Sequence, residues 1–265
     1  MDEHTAANRE LWDRWTLLHE GSDYYDLASF RRGETRLQPF EVDEVGDVSD
    51  RTLVHLMCHM GLETLSWARL GARVTGLDLS PRSIAVARGL AEELEIDASF
   101  VCADVYDAAA ALDPPFDIVY CSRGVLGWLR DLPGFAAVVR RLLVPGGSFY
   151  MHEIHPFLLV FDLESPELRV ANPYFPRPDP VRVRGSYAVP EETDGEPGYA
   201  WVHGIGELVT ALAGAELRIE FLHEFRHAEG FLAPRQQREF GATWLPEGLE
   251  GEVPVSFSLR ASSPG

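Results

Sequence analysis

From residue 51 onward the chain alternates between short apolar runs and helical patterns, and this alternation limits the folds open to it. LVHLM (53–57) is a mostly apolar run, as expected of a strand buried on both faces. Leu62, Leu65 and Leu70 then mark a helix that stops at Gly71. RVTGLD (73–78) reads as a second strand. Ser80-Pro81 opens the next helix, with serine as N-cap and proline at the first helical position. Ile84, Ala87, Ala91 and Leu94 form its apolar face. SFVCAD (99–104) and FDIVYC (116–121) are a third and fourth strand. Phe135–Leu143 is a helix ended by VPGG (144–147), and SFYMHEI (148–154) is a fifth strand. Strands that alternate with helices predict an α/β fold with a parallel sheet covered on both faces.

The flanks read differently. Residues 1–50 form a helical and aromatic cap, with Leu11, Trp12, Trp15, Leu17 and Leu18 near helical spacing. After Pro156 prolines accumulate (NPYFPRPDP, 172–180), and residues 157–203 read as an irregular lid insertion with VRVRGSYAV (181–189) as its strand. Residues 204–265 supply a helix near 204–214 and two strands, LRIEFLHEF (217–225) and VPVSFSLRAS (253–262). These two are expected to pair antiparallel at one sheet edge. Residues 51–156 are the core unit in this division.

The chain has 265 residues with 42 acidic against 23 basic side chains, a formal charge of −19. That field repels phosphate backbones and anionic lipid, which argues against nucleic acid as a partner. Arg177, Arg182 and Arg184 read as a solvated strand face. No window approaches the ~18 apolar residues of a membrane span, and the N-terminus lacks the pattern of a secretory signal. The three cysteines, Cys58, Cys102 and Cys121, include no CxxC, which suits a reduced, cytoplasmic setting.

In an open parallel sheet, ligands bind beyond the carboxyl ends of the strands. Three features collect there: the turn MCHMG after the first strand, Asp78 after the second and Asp104 after the third. A carboxylate about 20 residues after such a turn is placed to accept both hydroxyls of a ribose; Asp78 lies 20 residues beyond Cys58. Met57 and His59 would crowd a pyrophosphate, which needs glycine for close backbone approach. S-adenosylmethionine carries adenosine and no phosphate, so the turn favours it over NAD.

Residues 51–156 resemble the class I S-adenosylmethionine-dependent methyltransferases, in a bacterial subgroup with Cys-His in the first turn. The resemblance rests on LVHLMCHMGLETLSWARLGARVTGLDLS, FVCADV, FDIVYCSRGVLGWL and LLVPGGSFYMHEIHP. The usual first motif is acid-x-Gly-x-Gly-x-Gly; here His55, Met57, His59 and Gly61 hold those positions. The resemblance implies a Rossmann-like, doubly wound, mostly parallel seven-stranded sheet with an antiparallel terminal strand, and a small-molecule acceptor methylated at O, N or C. It implies that Met57, Cys58, His59 and Gly61 line the methionine part of the cofactor. Asp78 would bind the ribose with Leu79 on the adenine. Asp104 would contact the adenine amino group beside Val105, and Cys121 and Ser122 would lie near the sulfonium.

Methyl transfer to a hydroxyl, amine or carbon acid needs a base as well as alignment. HEIHP (152–156) offers His155, with Glu153 on the same strand face to orient it. His19, Tyr24, Tyr25, Arg123 and Trp128 are candidates for the acceptor wall. HEFRH (223–227) matches HExxH, but it begins inside a strand pattern, where histidines four apart are about 13 Å from each other and cannot share a zinc. His55, Cys58 and His59 do not point the same way, so no metal is expected. Two rival readings remain: a cofactor-binding fold without methyl transfer, such as a cyclase or a binding protein, and an NAD-dependent oxidoreductase.

Overall fold

The structure is a computed structural model and describes residues 2–162, 169–189, 195–226 and 253–265. Three helices come first: α1 (Glu3–Glu20), α2 (Leu27–Arg31) and α3 (Pro39–Val45). The core follows as β1 (Thr52–Leu56), α4 (Leu62–Arg69), β2 (Arg73–Asp78), α5 (Pro81–Glu93), β3 (Ala98–Cys102), α6 (Ala108–Ala111), β4 (Phe116–Ser122), α7 (Leu132–Leu142) and β5 (Leu143–Ile154). A short ribbon pairs β6 (Val181–Val183) with β7 (Gly198–Ala200), and the chain closes with α8 (Ile205–Gly214), β8 (Arg218–Phe225) and β9 (Ser256–Ser262).

Seven strands form one sheet in the order β3-β2-β1-β4-β5-β9-β8. Strands β1 to β5 pair in parallel, and β9 runs antiparallel to both β5 and β8. The order reverses between β1 and β4, which places a crevice at the carboxyl ends of those two strands. One sheet face packs Val54, Leu56, Val119, Phe149 and Met151 against α7 and α8. The other carries Leu53, Val74, Ile118 and Tyr120 under Trp67 of α4.

Local chemistry sets the element ends. Ser80 accepts from Ser83 N as the N-cap of α5, with Pro81 behind it. Asp131 caps α7 by accepting from Gly134 N, so that helix begins at Leu132 rather than at Phe135. The proposed strand at 181–189 is shorter than its pattern: only Val181–Val183 pairs, and the chain then turns at Gly185 (φ 73°) to bury Ser186. Arg177, Arg182 and Arg184 are exposed.

Candidate active site at the strand ends

The turn after β1 keeps the backbone of a glycine loop without its glycines. Met57, His59 and Gly61 have φ of 60°, 48° and 73°, so all three positions of the glycine pattern are left-handed. A side chain there costs about 1–2 kcal/mol per residue. Gly61 alone has no room for one. A Cβ on it would lie 2.6 Å from Phe100 Cε1 and 3.0 Å from Ala87 Cβ. Gly76 of β2 leaves the same kind of gap, where a Cβ would meet Phe100 Cδ1 at 2.6 Å and Cys58 Sγ at 2.8 Å. Gly61→Ala is therefore expected to destabilise the fold by about 2–4 kcal/mol, from overpacking together with a left-handed alanine. Chemical denaturation measures it.

Asp78 ends β2 directly beneath this turn. Its Oδ2 accepts from His59 N at 2.8 Å and its Oδ1 from Ser80 N at 2.8 Å. Burial pushes the carboxyl up to about 6 against the pull of those amides. Each oxygen has a second lone pair left for a further donor. Leu79 beside it is half-buried. At the tip of β3, Asp104 accepts from Tyr106 N at 3.0 Å and meets Arg130 Nη1 at 3.2 Å; Val105 next to it is buried. At the tip of β4, Ser122 Oγ lies 3.2 Å from His55 Nε2, and His55 Nδ1 lies 2.9 Å from Thr64 Oγ1. His55 thus fills the acid position of the motif as a buried imidazole, which desolvation brings down to about 3. Cys121 is turned into the core against Val119 and Met151.

Residues 54–147 match the family model for a methyltransferase domain. The chain is 34% identical over 127 residues to a ubiquinone biosynthesis O-methyltransferase of Xanthomonas oryzae pv. oryzae, covering 45% of this chain and 51% of that protein. It is 30% identical over 163 residues to the protein of that name from Serratia proteamaculans, covering 58% and 62%. Over residues 54–147 the chain is similar to methyltransferase domains. It spans about half to three fifths of the length of these curated relatives. The fold agrees with the crystal structure of an S-adenosylmethionine-dependent methyltransferase from Mesorhizobium loti, at TM-score 0.56 and 21% identity, over 88% of this chain and 99% of that one.

Helix α1 crosses the core over the tips of β2 and β3. Asp13 Oδ1 accepts from Ser80 Oγ at 2.5 Å and from Arg82 N at 3.1 Å. At the other end, Arg130 Nη1 reaches Thr5 Oγ1 at 3.0 Å as well as Asp104, while Arg130 Nε lies 3.5 Å from Asp2. Between these ties α1 lowers Trp12, Trp15 and His19 onto the turn. His19 Nδ1 lies 2.9 Å from His59 Nε2, and Trp12 packs on the His59 ring at 5.1 Å. Tyr25 stacks on His19 at 4.9 Å, and Tyr24 meets Tyr25 edge-on. Trp128 joins through Trp12 at 5.3 Å. The structure thus gathers His19, Tyr24, Tyr25 and Trp128 of the expected wall around His59. Trp12, Trp15, Ser83, Ser186 and Tyr187 complete the cluster and had no motif to mark them.

Arg123 follows β4 at φ 52° and borders the cluster on its Tyr24 side from within a buried charge network. Its Nη2 meets Glu41 Oε2 at 2.9 Å and its Nη1 meets Glu63 Oε1 at 3.2 Å. Tyr120 Oη donates to Glu41 Oε1 at 2.6 Å, and His152 Nδ1 lies 3.4 Å from the same oxygen.

The expected pairing of Glu153 with His155 is corrected. Glu153 accepts from Gly124 N (2.7 Å), Val125 N (2.7 Å), Leu126 N (2.8 Å) and Ile154 N (2.6 Å), so its carboxylate holds the turn after β4. His155 instead lies 3.0 Å from Glu224 Oε1 of β8, and its Nδ1 accepts from Phe157 N at 3.1 Å. Strand β5 ends at Ile154, so the alternation used to place both side chains on one face stops before His155. Burial keeps His155 below the usual imidazole range, against the opposing pull of Glu224. His223 is in β8 and bonds Glu44 Oε1 at 2.6 Å; His227 of the HExxH pattern lies outside the described residues. Among the described residues, no group of three or more His, Cys, Asp or Glu is arranged to hold a metal ion.

Proposed function

We propose that this chain is an S-adenosylmethionine-dependent methyltransferase acting on a small molecule. The observation that carries the reading is the left-handed backbone at positions 57, 59 and 61 above the Asp78 carboxylate. That carboxylate has lone pairs to spare for two ribose hydroxyls, and the turn presents no glycine-lined approach for a pyrophosphate. The residues therefore fit adenosine on a sulfonium. When bound, the cofactor supplies an activated methyl group. Asp78 holds its ribose, Leu79 and Val105 flank the adenine, Asp104 faces its amino group, and Met57, Cys58 and His59 border the methionine end.

The acceptor pocket in this reading lies between residues 1–50 and 157–203. Its support is the contact of α1 and the Tyr24-Tyr25 stretch with Ser186 and Tyr187. Three free cysteines and an acidic surface are in keeping with a cytoplasmic enzyme, and among the described residues no helix is long and apolar enough to cross a membrane. Titration calorimetry with S-adenosylmethionine and S-adenosylhomocysteine tests the proposal. Saturable binding of both is expected, and a folded protein that binds neither at millimolar concentration rules it out.

A further inference from the structure

A hydrogen-bond chain through His59 and His19 has its direction fixed by proton counting. Thr16 Oγ1 donates its one proton to Trp12 O at 2.7 Å. In the 2.7 Å contact between Thr16 and Ser83, Ser83 Oγ must then be the donor. With that proton committed, Ser83 accepts from His59 Nδ1 at 2.8 Å. Burial, then the neighbouring His19, holds His59 well below the usual imidazole range, so the ring is neutral and its Nε2 is bare. His59 Nε2 therefore accepts from His19 Nδ1 at 2.9 Å. His19 is neutral as well, brought down to about 3 by burial, so its Nε2 is also bare. Ser186 Oγ donates to it at 2.9 Å while accepting from Ala188 N at 3.2 Å. The chain thus ends in one basic nitrogen, and a hydroxyl already sits on it.

We propose that His19 is the general base for a hydroxyl acceptor, which takes the place of the Ser186 hydroxyl on His19 Nε2, and that His59 is the positioning residue that fixes its tautomer. The inference rests on the methyltransferase reading above. The acceptor oxygen attacks the methyl carbon, forming the C–O bond as the S–C bond breaks. The bonding pair returns to sulfur, and the acceptor proton goes to His19 Nε2. Proton and sulfonium charge exchange places, so the site carries one positive charge before and after. A nitrogen that resists protonation alone can therefore take the proton as the neighbouring cation disappears. The flat faces of Tyr25, Trp15 and Tyr187 around His19 suit a planar aromatic acceptor. The ionisable groups near the pair are Tyr24, Tyr25 and Tyr187, the Asp78 carboxylate under the His59 amide, Glu63, and Arg36 and Arg123 on the Tyr24 side. Burial raises Tyr24 to about 12 and Tyr25 further, so these phenols stay protonated through the working range.

Nitrogen-15 histidine NMR on the complexes with S-adenosylmethionine and S-adenosylhomocysteine tests this without an acceptor. His19 is expected as the Nδ1–H tautomer, with a pKa at least one unit higher beside the neutral thioether than beside the sulfonium. His59→Gln should change the tautomer balance of His19. In turnover, His19→Gln should lower kcat on catechol about 100-fold or more with cofactor affinity unchanged. It should cost less than tenfold on 4-nitrocatechol, which is already ionised at neutral pH. A proton on His19 Nε2, an equal pKa in the two complexes, or equal losses with both catechols would overturn the assignment. If neither catechol is turned over, the NMR result decides. If neither nucleoside binds, the methyltransferase reading fails instead.

Discussion

Replacing Asp78 with alanine weakens S-adenosylmethionine binding by roughly 30- to 1,000-fold. A pair of hydrogen bonds to one carboxylate stands for about 2–4 kcal/mol, which is that range in affinity. The same change strips an acceptor from His59 N and Ser80 N, so the left-handed turn loosens as the ribose contact goes. Asp78→Asn separates the two effects, because the amide oxygen still holds one backbone donor. Calorimetry on protein checked for folding by circular dichroism reads the loss; affinity within threefold of wild type would remove Asp78 from the ribose site. The acid limb follows from the same side chain. Burial raises this carboxyl from 3.8 to about 6, so cofactor affinity falls about tenfold per pH unit below that value. Its link to folding runs the other way. The folded chain holds the proton more tightly than the unfolded one, so the group costs stability increasingly as pH rises from 3.8 to about 6 and at full value above.

Glu41→Ala lowers stability by about 3–5 kcal/mol, because it leaves the Arg123 cation with one partner fewer inside the fold. For a chain of this size that is a fall in Tm of roughly 10 °C. Glu41 is fully buried and receives Arg123 and Tyr120, whereas the second partner, Glu63, is 19% exposed. Glu63→Ala should therefore cost less, and thermal melts of the two variants side by side check the order. Burial pushes the Glu41 carboxyl up, but Arg123 together with the hydrogen bonds from His152 and Tyr120 more than offsets it, and the group sits well below the usual carboxylate range. Its contribution is complete above pH 4.5 and is lost as pH falls through the folded value. The alanine variant should lack that part of the acid unfolding limb.

The central strands were readable because a strand covered on both faces leaves a near-continuous apolar run, and the Ser80-Pro81 helix start carries its own cap. The position of Asp78 at a strand end was readable for a related reason: its distance along the chain from the turn is set by one helix and one strand. The turn itself was half legible. Its missing glycines suggested altered backbone space, yet Met57 and His59 adopt the left-handed angles directly. Glu41, Ser83 and Ser186 were invisible, since each matters only through a partner distant in sequence: Arg123, His59 and His19. His155 was misplaced because the period-two rule was carried one residue past the strand.

The left-handed turn divides its labour between backbone and side chains. Gly61 is locked by the Phe100 ring and cannot change without repacking, whereas positions 57 and 59 carry full side chains on the same curve of backbone. At position 59 the backbone amide holds the Asp78 carboxylate while the ring reaches His19. In the proposed reading one residue therefore borders both donor and acceptor, and exchanging its side chain would alter the two together, with the amide contact to Asp78 kept.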